Sequence, residues 1–111
     1  MADRFTSFAD FWPYYLTEHA NVRTRALHYV GTTLVVALFL TALATGRWEL
    51  AVAMPVAGYF FAWVGHFAIE HNRPATFTYP LWSLAADFRM WALAIVGRLG
   101  PHLDRAGVPR G

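Results

Sequence analysis

Histidine is the residue type with the clearest capacity for chemistry in this chain of 111 residues. The chain has five histidines and no cysteine, so a metal site would use imidazole and oxygen ligands. Helical bundles build metal sites from side chains on facing helices. The sequence therefore predicts a metal site made of the four histidines that lie near the ends of long apolar segments: His19, His28, His66 and His71.

The spacing of these histidines predicts how they are positioned. His66 and Glu70 are one helical turn apart, so Glu70 is expected either to be a ligand or to orient a ligand. His19 and His28 would lie about half a turn out of phase on one straight helix. A helix break just before Asn21, with Asn21 as the N-cap of the next helix, would remove this conflict.

His71 and His102 are weaker candidates than the other three histidines. His71 lies about 140° around a helix from His66 and just before Pro74, where the helix is expected to stop. His102 lies near the C-terminus and is expected to be exposed to solvent. Taken alone, any one of the four histidines near the ends of the apolar segments could instead be an amphipathic side chain that reaches water from the membrane interface. Because four histidines are expected at the same depth in the membrane, a shared metal site is favoured over four separate interfacial side chains.

The composition predicts the fold class. Hydrophobic residues make up 57% of the chain and charged residues 14%, which is more apolar surface than a soluble domain of this size can bury. Residues 26–46 and 50–70 are each about 20 residues long, enough to cross the hydrocarbon of a bilayer. The short connection between them allows only a tight antiparallel hairpin. We therefore expect an all-α integral membrane protein whose two spans bring the four histidines to one face of the bilayer.

The segment before the spans, residues 1–20, is predicted to be a helix that lies along the membrane interface. Aromatic residues recur in it at helical spacing, and Ser7 with Asp10 could form a capping box at its start. Pro13 is expected to interrupt or restart this helix.

Residues 78–99 predict a third helix. Because it carries Asp87 and Arg89 near its middle, we expect it to be partly embedded in the membrane or to span it. Residues 100–111 contain two prolines and three glycines and are predicted to be a flexible tail. The whole chain, 1–111, is predicted to be a single membrane domain.

Arginine placement predicts the orientation in the membrane. Arg4, Arg23, Arg25 and Arg73 flank the outer ends of the hairpin, whereas Arg47 lies at its turn. The positive-inside rule then places the outer ends, and the metal site with them, near the cytoplasmic face. The membrane would be the bacterial inner membrane, or the endoplasmic reticulum in a eukaryote. The net charge of +2 includes no basic stripe, so nucleic-acid binding is not expected.

Three motifs resemble those of a known family: YLTEHAN at 15–21, RALHYVGT at 25–32 and GHFAIEHNRPA at 65–75. The family is the membrane family of iron-dependent 2-hydroxy fatty acid dioxygenases, and residues 75–83 are similar to a bacterial subgroup of it. The resemblance covers about residues 11–91. It implies that His19, His28 and His66 bind Fe(II), and it leaves His71 and Glu70 as alternatives for a fourth ligand.

The resemblance also implies a reaction. A 2-hydroxy fatty acid and O2 would be the substrates, and cleavage between C1 and C2 would release CO2 and an acid that is one carbon shorter. Arg25 or Arg73 would pair with the substrate carboxylate, and Glu70 would complete or orient the metal shell. The alternatives are a membrane scaffold or lipid-binding protein, and a haem or zinc site that uses the same histidines. Two spans enclose little space, so we expect a homo-oligomer, most simply a dimer.

Overall fold

The computed structural model describes residues 5–111, which form helices connected by turns and contain no strand. The predicted all-α fold is therefore confirmed for these residues. Arg4 and the first residues of the predicted interfacial helix lie outside the described residues. The α-helices are α1 (Phe8–Thr17), α2 (Val22–Thr45), α3 (Ala53–Val64), α4 (Pro80–Ile95) and α5 (Gly100–Ala106). Three shorter helical segments lie between them: 3-10 turns at Trp48–Val52 and Ala75–Phe77, and a π-helical turn at Gly65–Glu70.

Two long helices form the hairpin. The chain breaks before α2 as expected, and the side chain of Asn21 caps the helix by accepting a hydrogen bond from the Arg23 amide at 2.8 Å. The helix ends at Gly46, which adopts the left-handed conformation (φ 71°) common after a helix. Val22–Thr45 and Trp48–Glu70 are both long and apolar enough to cross a membrane. Most of their side chains are exposed, which is typical of helices that face lipid rather than the core of a soluble protein.

The buried core lies where α1 packs against α4 and α5. Ser7 caps α1 by accepting a hydrogen bond from the Asp10 amide at 3.2 Å. The expected interruption at Pro13 is wrong, because Pro13 lies inside α1. Burial of the aromatic residues on both sides of the proline holds the helix together across the missing amide donor. The core includes Phe11, Tyr15, Leu16, Ala86, Met90 and Leu103.

The C-terminal segment is ordered by packing rather than being the expected flexible tail. It forms α5, and Leu103 and Val108 are buried against the core. The indole nitrogen of Trp12 donates a hydrogen bond to Nδ1 of His102 at 3.1 Å. His102 is therefore half-buried and engaged, not simply exposed as the sequence suggested. Apolar side chains in this segment outweigh the local effect of its glycines and prolines.

Candidate metal centre

Three of the four predicted histidines converge on one point. His19 directly follows α1, His28 lies in the second turn of α2, and His66 lies in the π-helical turn that continues α3. All three side chains are buried. One ring nitrogen of each lies within 4.8 Å of the others, and Nε2 of His19 is 3.0 Å from Nε2 of His28. Segments that are distant in the sequence thus present their imidazoles to a common centre.

Backbone carbonyls determine which ring nitrogen carries the proton in two of these histidines. Nδ1 of His19 lies 2.7 Å from the carbonyl oxygen of Tyr15, and Nδ1 of His28 lies 3.0 Å from that of Thr24. A carbonyl oxygen can only accept a hydrogen bond, so Nδ1 is the donor in both rings. We assign the tautomers on this basis. Nε2 of His19 and Nε2 of His28 therefore both present lone pairs to the centre.

Asn72 gives His66 the same tautomer. The side-chain amide of Asn72 donates to the carbonyl of Glu18 at 3.2 Å, which fixes the orientation of the amide group. Its oxygen then faces Nδ1 of His66 at 2.7 Å and accepts the proton of that nitrogen. Nε2 of His66 is left as a third lone pair. No sequence pattern had indicated Asn72, because it reaches His66 only through the unusual backbone between them.

His71 shapes that backbone instead of joining the cluster. Its φ of 58° is the only positive φ of a non-glycine residue in residues 5–111. This turn brings the amide of Asn72 back to the carbonyl of His66 at 2.9 Å. The side chain of His71 is exposed and does not belong to the group of converging ligand atoms. The structure therefore gives His71 a place at a turn rather than the predicted place in the metal site.

The chemistry of the donor set fits a cation. Three imidazoles that all point lone pairs at one centre cannot donate hydrogen bonds to one another, whereas a metal ion accepts all three lone pairs. At a metal–nitrogen distance of about 2.1 Å, two ligands at right angles are about 3.0 Å apart, which matches the pair His19 and His28. Burial, reinforced by the two other imidazoles, lowers the pKa of His19 well below its ordinary value. His19 is therefore in the neutral form that metals bind.

Glu70 lies near the cluster but faces a different partner. One of its carboxylate oxygens accepts a hydrogen bond from the backbone amide of Asn21 at 2.7 Å. The π-helical turn changes the residue spacing around the helix, so Glu70 does not stand directly below His66 as it would in an α-helix. Glu70 thus supports the start of α2 and the break that positions His19. The structure does not bring it into the ligand group as predicted.

Arg25 is buried and bound by the backbone. The side chain is 2% exposed, and its guanidinium donates four hydrogen bonds of 2.8 to 3.0 Å to backbone carbonyls. The acceptors belong to His19, Ala20, Pro109 and Arg110. These donors are used within the fold, and the pairing of Arg25 with a substrate carboxylate stays a prediction. Arg25 ties the loop that carries His19 to the C-terminal segment.

Arg73, the other predicted partner of the carboxylate, lies on the surface. Its side chain is exposed, and the guanidinium carbon lies 4.8 Å from the centre of the Phe77 ring. The structure does not bring it to the histidine cluster, so its role in substrate binding stays a prediction.

Polar side chains on two helices lie beside the imidazoles: Tyr15 on α1, and Ser83 and Asp87 on α4. We call these three residues the polar wall. Asp87 Oδ1 lies 4.0 Å from Nε2 of His28 and accepts a hydrogen bond from the hydroxyl of Tyr15. Burial raises the pKa of Asp87 to about 7, and burial together with Asp87 raises the pKa of Tyr15 well above its usual range. Ser83, one turn before Asp87, is 2% exposed, and its hydroxyl has no hydrogen-bond partner among residues 5–111. The sequence indicated this region only through Asp87, a charged residue inside an apolar helix, and the sequence analysis assigned Asp87 no role at the site.

Two adjacent cavities lie at the cluster. The smaller one, about 10 Å³, is lined by the three histidines together with Ser83 and Asp87, and it has room for one ion or water molecule. The larger one, about 320 Å³, lies among α2, α3 and α4 and is partly open to the exterior. Its walls are mainly apolar, and its size falls within the range of ligand pockets. The two cavities share four lining residues: His28, Tyr59, Ala62 and Asp87.

Over residues 5–111, the fold and the site define an all-helical protein with two membrane-length helices and a buried three-histidine cluster compatible with metal binding. The chain belongs to the Mpo1-like family, described as 2-hydroxy-palmitic acid dioxygenase Mpo1-like, whose model matches residues 5–99. The family resemblance found in the motifs is thereby confirmed. No curated protein and no solved structure matches the chain.

Proposed function

We propose that the protein is an Fe(II)-dependent dioxygenase of 2-hydroxy fatty acids. The observation that carries the proposal is the apolar cavity that lies beside the three converging imidazoles and shares His28 with them. The family description supports the same substrate class. The overall reaction balances as 2-hydroxy acid plus O2 giving CO2, water and the acid that is one carbon shorter. The apolar chain of a 2-hydroxy fatty acid matches the apolar cavity, and its polar, oxidisable head matches the histidine cluster.

His19, His28 and His66 are the proposed iron ligands. Imidazole suits Fe(II), and three protein ligands leave coordination positions for small molecules. The bound iron would supply chelation of the substrate head and activation of oxygen. The chain itself holds each ring in place through a hydrogen bond at Nδ1. It also excludes bulk water, because all three histidines are buried.

The geometry separates iron from one of the two alternative cofactors. The space among the three imidazoles is about 10 Å³, which is room for one ion but not for a porphyrin ring. The haem alternative is therefore disfavoured. Zinc uses the same donors as iron, and the oxygen dependence of turnover distinguishes the two metals.

The larger cavity is the proposed binding site of the acyl chain. Apolar side chains line it, including Val35 on α2, Met54 on α3 and Leu84 on α4. Each buried methylene group contributes about 0.8 kcal/mol, so a long chain binds mainly through this cavity. The polar head of the acid would then lie at the end formed by His28 and Asp87, beside the metal.

We further propose that the protein is embedded in a membrane by α2 and α3. Fatty acids dissolve in the bilayer, so a site between membrane-length helices can take its substrate from the lipid phase. The cytoplasmic placement of the metal centre and the bacterial inner membrane are part of this proposal. The homo-oligomer stays a prediction.

The direct test is turnover by the purified, detergent-solubilised protein. The protein is loaded with Fe(II) without oxygen and then given O2 and 2-hydroxypalmitate, and products are identified by mass spectrometry. The expected product is the 15-carbon acid, formed with iron but not with zinc, and not from palmitate. An iron-loaded protein that leaves 2-hydroxypalmitate unchanged would contradict the proposed function.

The hydrogen bond from His66 to Asn72 predicts an effect on metal affinity. Asn72→Ala is expected to weaken Fe(II) binding by about 10- to 100-fold, because partners of metal-bound histidines orient the ring and raise its basicity. Asn72→Asp keeps the acceptor but loses the donor to the carbonyl of Glu18, so its affinity is expected to lie between those of Asn72→Ala and the wild type. Competition with a chelator measures both affinities. If Asn72→Ala binds Fe(II) as tightly as the wild type, the hydrogen bond between His66 and Asn72 does not contribute to metal affinity.

The cavity predicts a dependence on chain length. Val35 lies two turns beyond His28 on α2, about 10 Å further from the metal centre along the helix. Val35→Phe should therefore fill the far part of the cavity. We expect it to weaken binding of 2-hydroxypalmitate about tenfold, as for the loss of two buried methylene groups, and to leave 2-hydroxyoctanoate nearly unaffected.

The matched control for Val35→Phe is Val30→Phe. Val30 lies on the same helix but is 46% exposed and does not line the cavity. Its substitution is expected to change neither affinity. Equal losses for the long and short acids in Val35→Phe would contradict the proposed position of the acyl chain.

A further inference from the structure

One face of α4 turns two polar side chains toward the histidine cluster. Ser83 and Asp87 are four residues apart, so they lie on the same side of the helix. Both line the small cavity that the three histidines also line. Buried polar groups destabilise a fold unless they have hydrogen-bond partners, so two polar side chains at this position favour a polar ligand.

The hydroxyl of Ser83 is the first part of the evidence. It is 2% exposed, and no hydrogen-bond partner for it exists among the described residues. A buried hydroxyl without a hydrogen-bond partner destabilises the fold. A ligand that accepts its proton would remove that destabilisation. The hydroxyl of Ser83 is therefore available to a bound molecule in the small cavity.

The carboxyl group of Asp87 is the second part. The hydroxyl of Tyr15 holds Oδ1, whereas Oδ2 has no hydrogen-bond partner in residues 5–111. Asp87 also lies outside the set of ligand atoms that are all within 4.8 Å of one another, so it is a neighbour of the metal centre rather than a member of it. Asp87 lines both the small cavity and the adjacent apolar cavity. It can accept a hydrogen bond from a ligand that occupies both cavities.

We propose that Ser83 and Asp87 bind the polar head of the substrate, with Ser83 donating to its carboxylate and Asp87 accepting from its C2 hydroxyl. This inference rests on the proposed function and adds the source of substrate selectivity. A 2-hydroxy acid has a donor and an acceptor on adjacent carbons, which matches an acceptor and a donor one helical turn apart. An unsubstituted fatty acid lacks the hydroxyl and leaves Asp87 without its partner.

The two residues are expected to affect binding differently. Asp87→Asn keeps an oxygen for Tyr15 but replaces the free acceptor with a donor. It should lower the preference for 2-hydroxypalmitate over palmitate about tenfold, as for the loss of one hydrogen bond, and leave palmitate binding unchanged. Ser83→Ala should weaken both acids by a similar factor, because both have a carboxylate.

The experiment measures binding without turnover. The full-length protein in detergent is loaded with Zn(II), which has no redox chemistry. Displacement of a fluorescent fatty acid then gives the affinities of 2-hydroxypalmitate and palmitate. Asp10→Asn, the same change at an exposed position on α1, is the matched control and should behave as the wild type. Zinc content and thermal midpoint are measured for every variant.

The outcomes separate this inference from the proposed function. A wild-type preference for the hydroxy acid that persists in Asp87→Asn overturns the inference and leaves the proposed function standing. A wild-type protein that binds neither acid overturns the proposed function itself. If Asp87→Asn loses zinc, the ratio is measured in Asp87→Glu, which moves the acceptor by one methylene group. An unchanged ratio there also overturns the inference.

Discussion

Replacing His28 or His66 with alanine is expected to abolish stoichiometric Fe(II) binding, whereas His71→Ala and His102→Ala should still bind one iron per chain. The first two side chains direct lone pairs at the common centre, and the last two do not belong to it. Loss of a hydrogen-bond partner of a ligand already costs about 10- to 100-fold in affinity, so loss of the ligand itself should cost more than 100-fold.

Iron content after anaerobic loading, measured by mass spectrometry, tests this expectation. Far-ultraviolet circular dichroism of each variant shows whether the helices persist. His71→Ala is the sharpest control, because His71 is only five residues from His66 and was predicted from sequence to be a ligand. Retention of one iron by His66→Ala, or its loss in His71→Ala with the helices intact, would contradict the three-histidine centre.

The convergence of the histidines could be predicted because it depends on topology alone. Two apolar segments joined by a short turn form a hairpin, and the hairpin brings His28 and His66 to the same end. The break before Asn21 was also visible in the sequence, since the spacing of His19 and His28 required it and asparagine favours an N-cap. Local capping and helix length therefore determine much of this site.

The roles of Glu70 and Asn72 could not be predicted, because they depend on one irregular turn. A regular α-helix would place Glu70 beneath His66, and the sequence-based prediction assumed such a helix. The π-helical turn and the left-handed His71 replace that carboxylate with the side chain of Asn72. π-helical turns often occur at functional sites, but no residue type marks them reliably in a sequence.

The C-terminal segment shows the other limit of sequence reasoning. Its glycines and prolines indicate flexibility only when the segment is considered alone. In the structure Leu103 and Val108 are buried, and the carbonyls of Pro109 and Arg110 bind Arg25. Long-range packing of this kind has no local pattern, so neither α5 nor the buried state of Arg25 could be inferred.

The contacts of Arg25 give the second large prediction. Arg25→Met is expected to lower the free energy of unfolding by about 3–5 kcal/mol, because it leaves the buried carbonyl of His19 and the part-buried carbonyl of Pro109 without their donor. A loss of this size should lower the thermal midpoint in detergent by at least about 10 °C. Iron affinity should fall as well, since the carbonyl of His19 loses the donor that fixes its loop.

Arg23→Met is the matched control, because Arg23 is exposed and only two residues away on the same helix. It should change the free energy of unfolding by less than about 0.5 kcal/mol. Arg25→Lys should be intermediate, because one ammonium group cannot reproduce the planar fork that reaches four carbonyls. If the Arg25→Met protein is as stable as the wild type, the hydrogen bonds to the four carbonyls do not stabilise the fold. The predicted pairing of Arg25 with a substrate carboxylate would then be the better account of this residue.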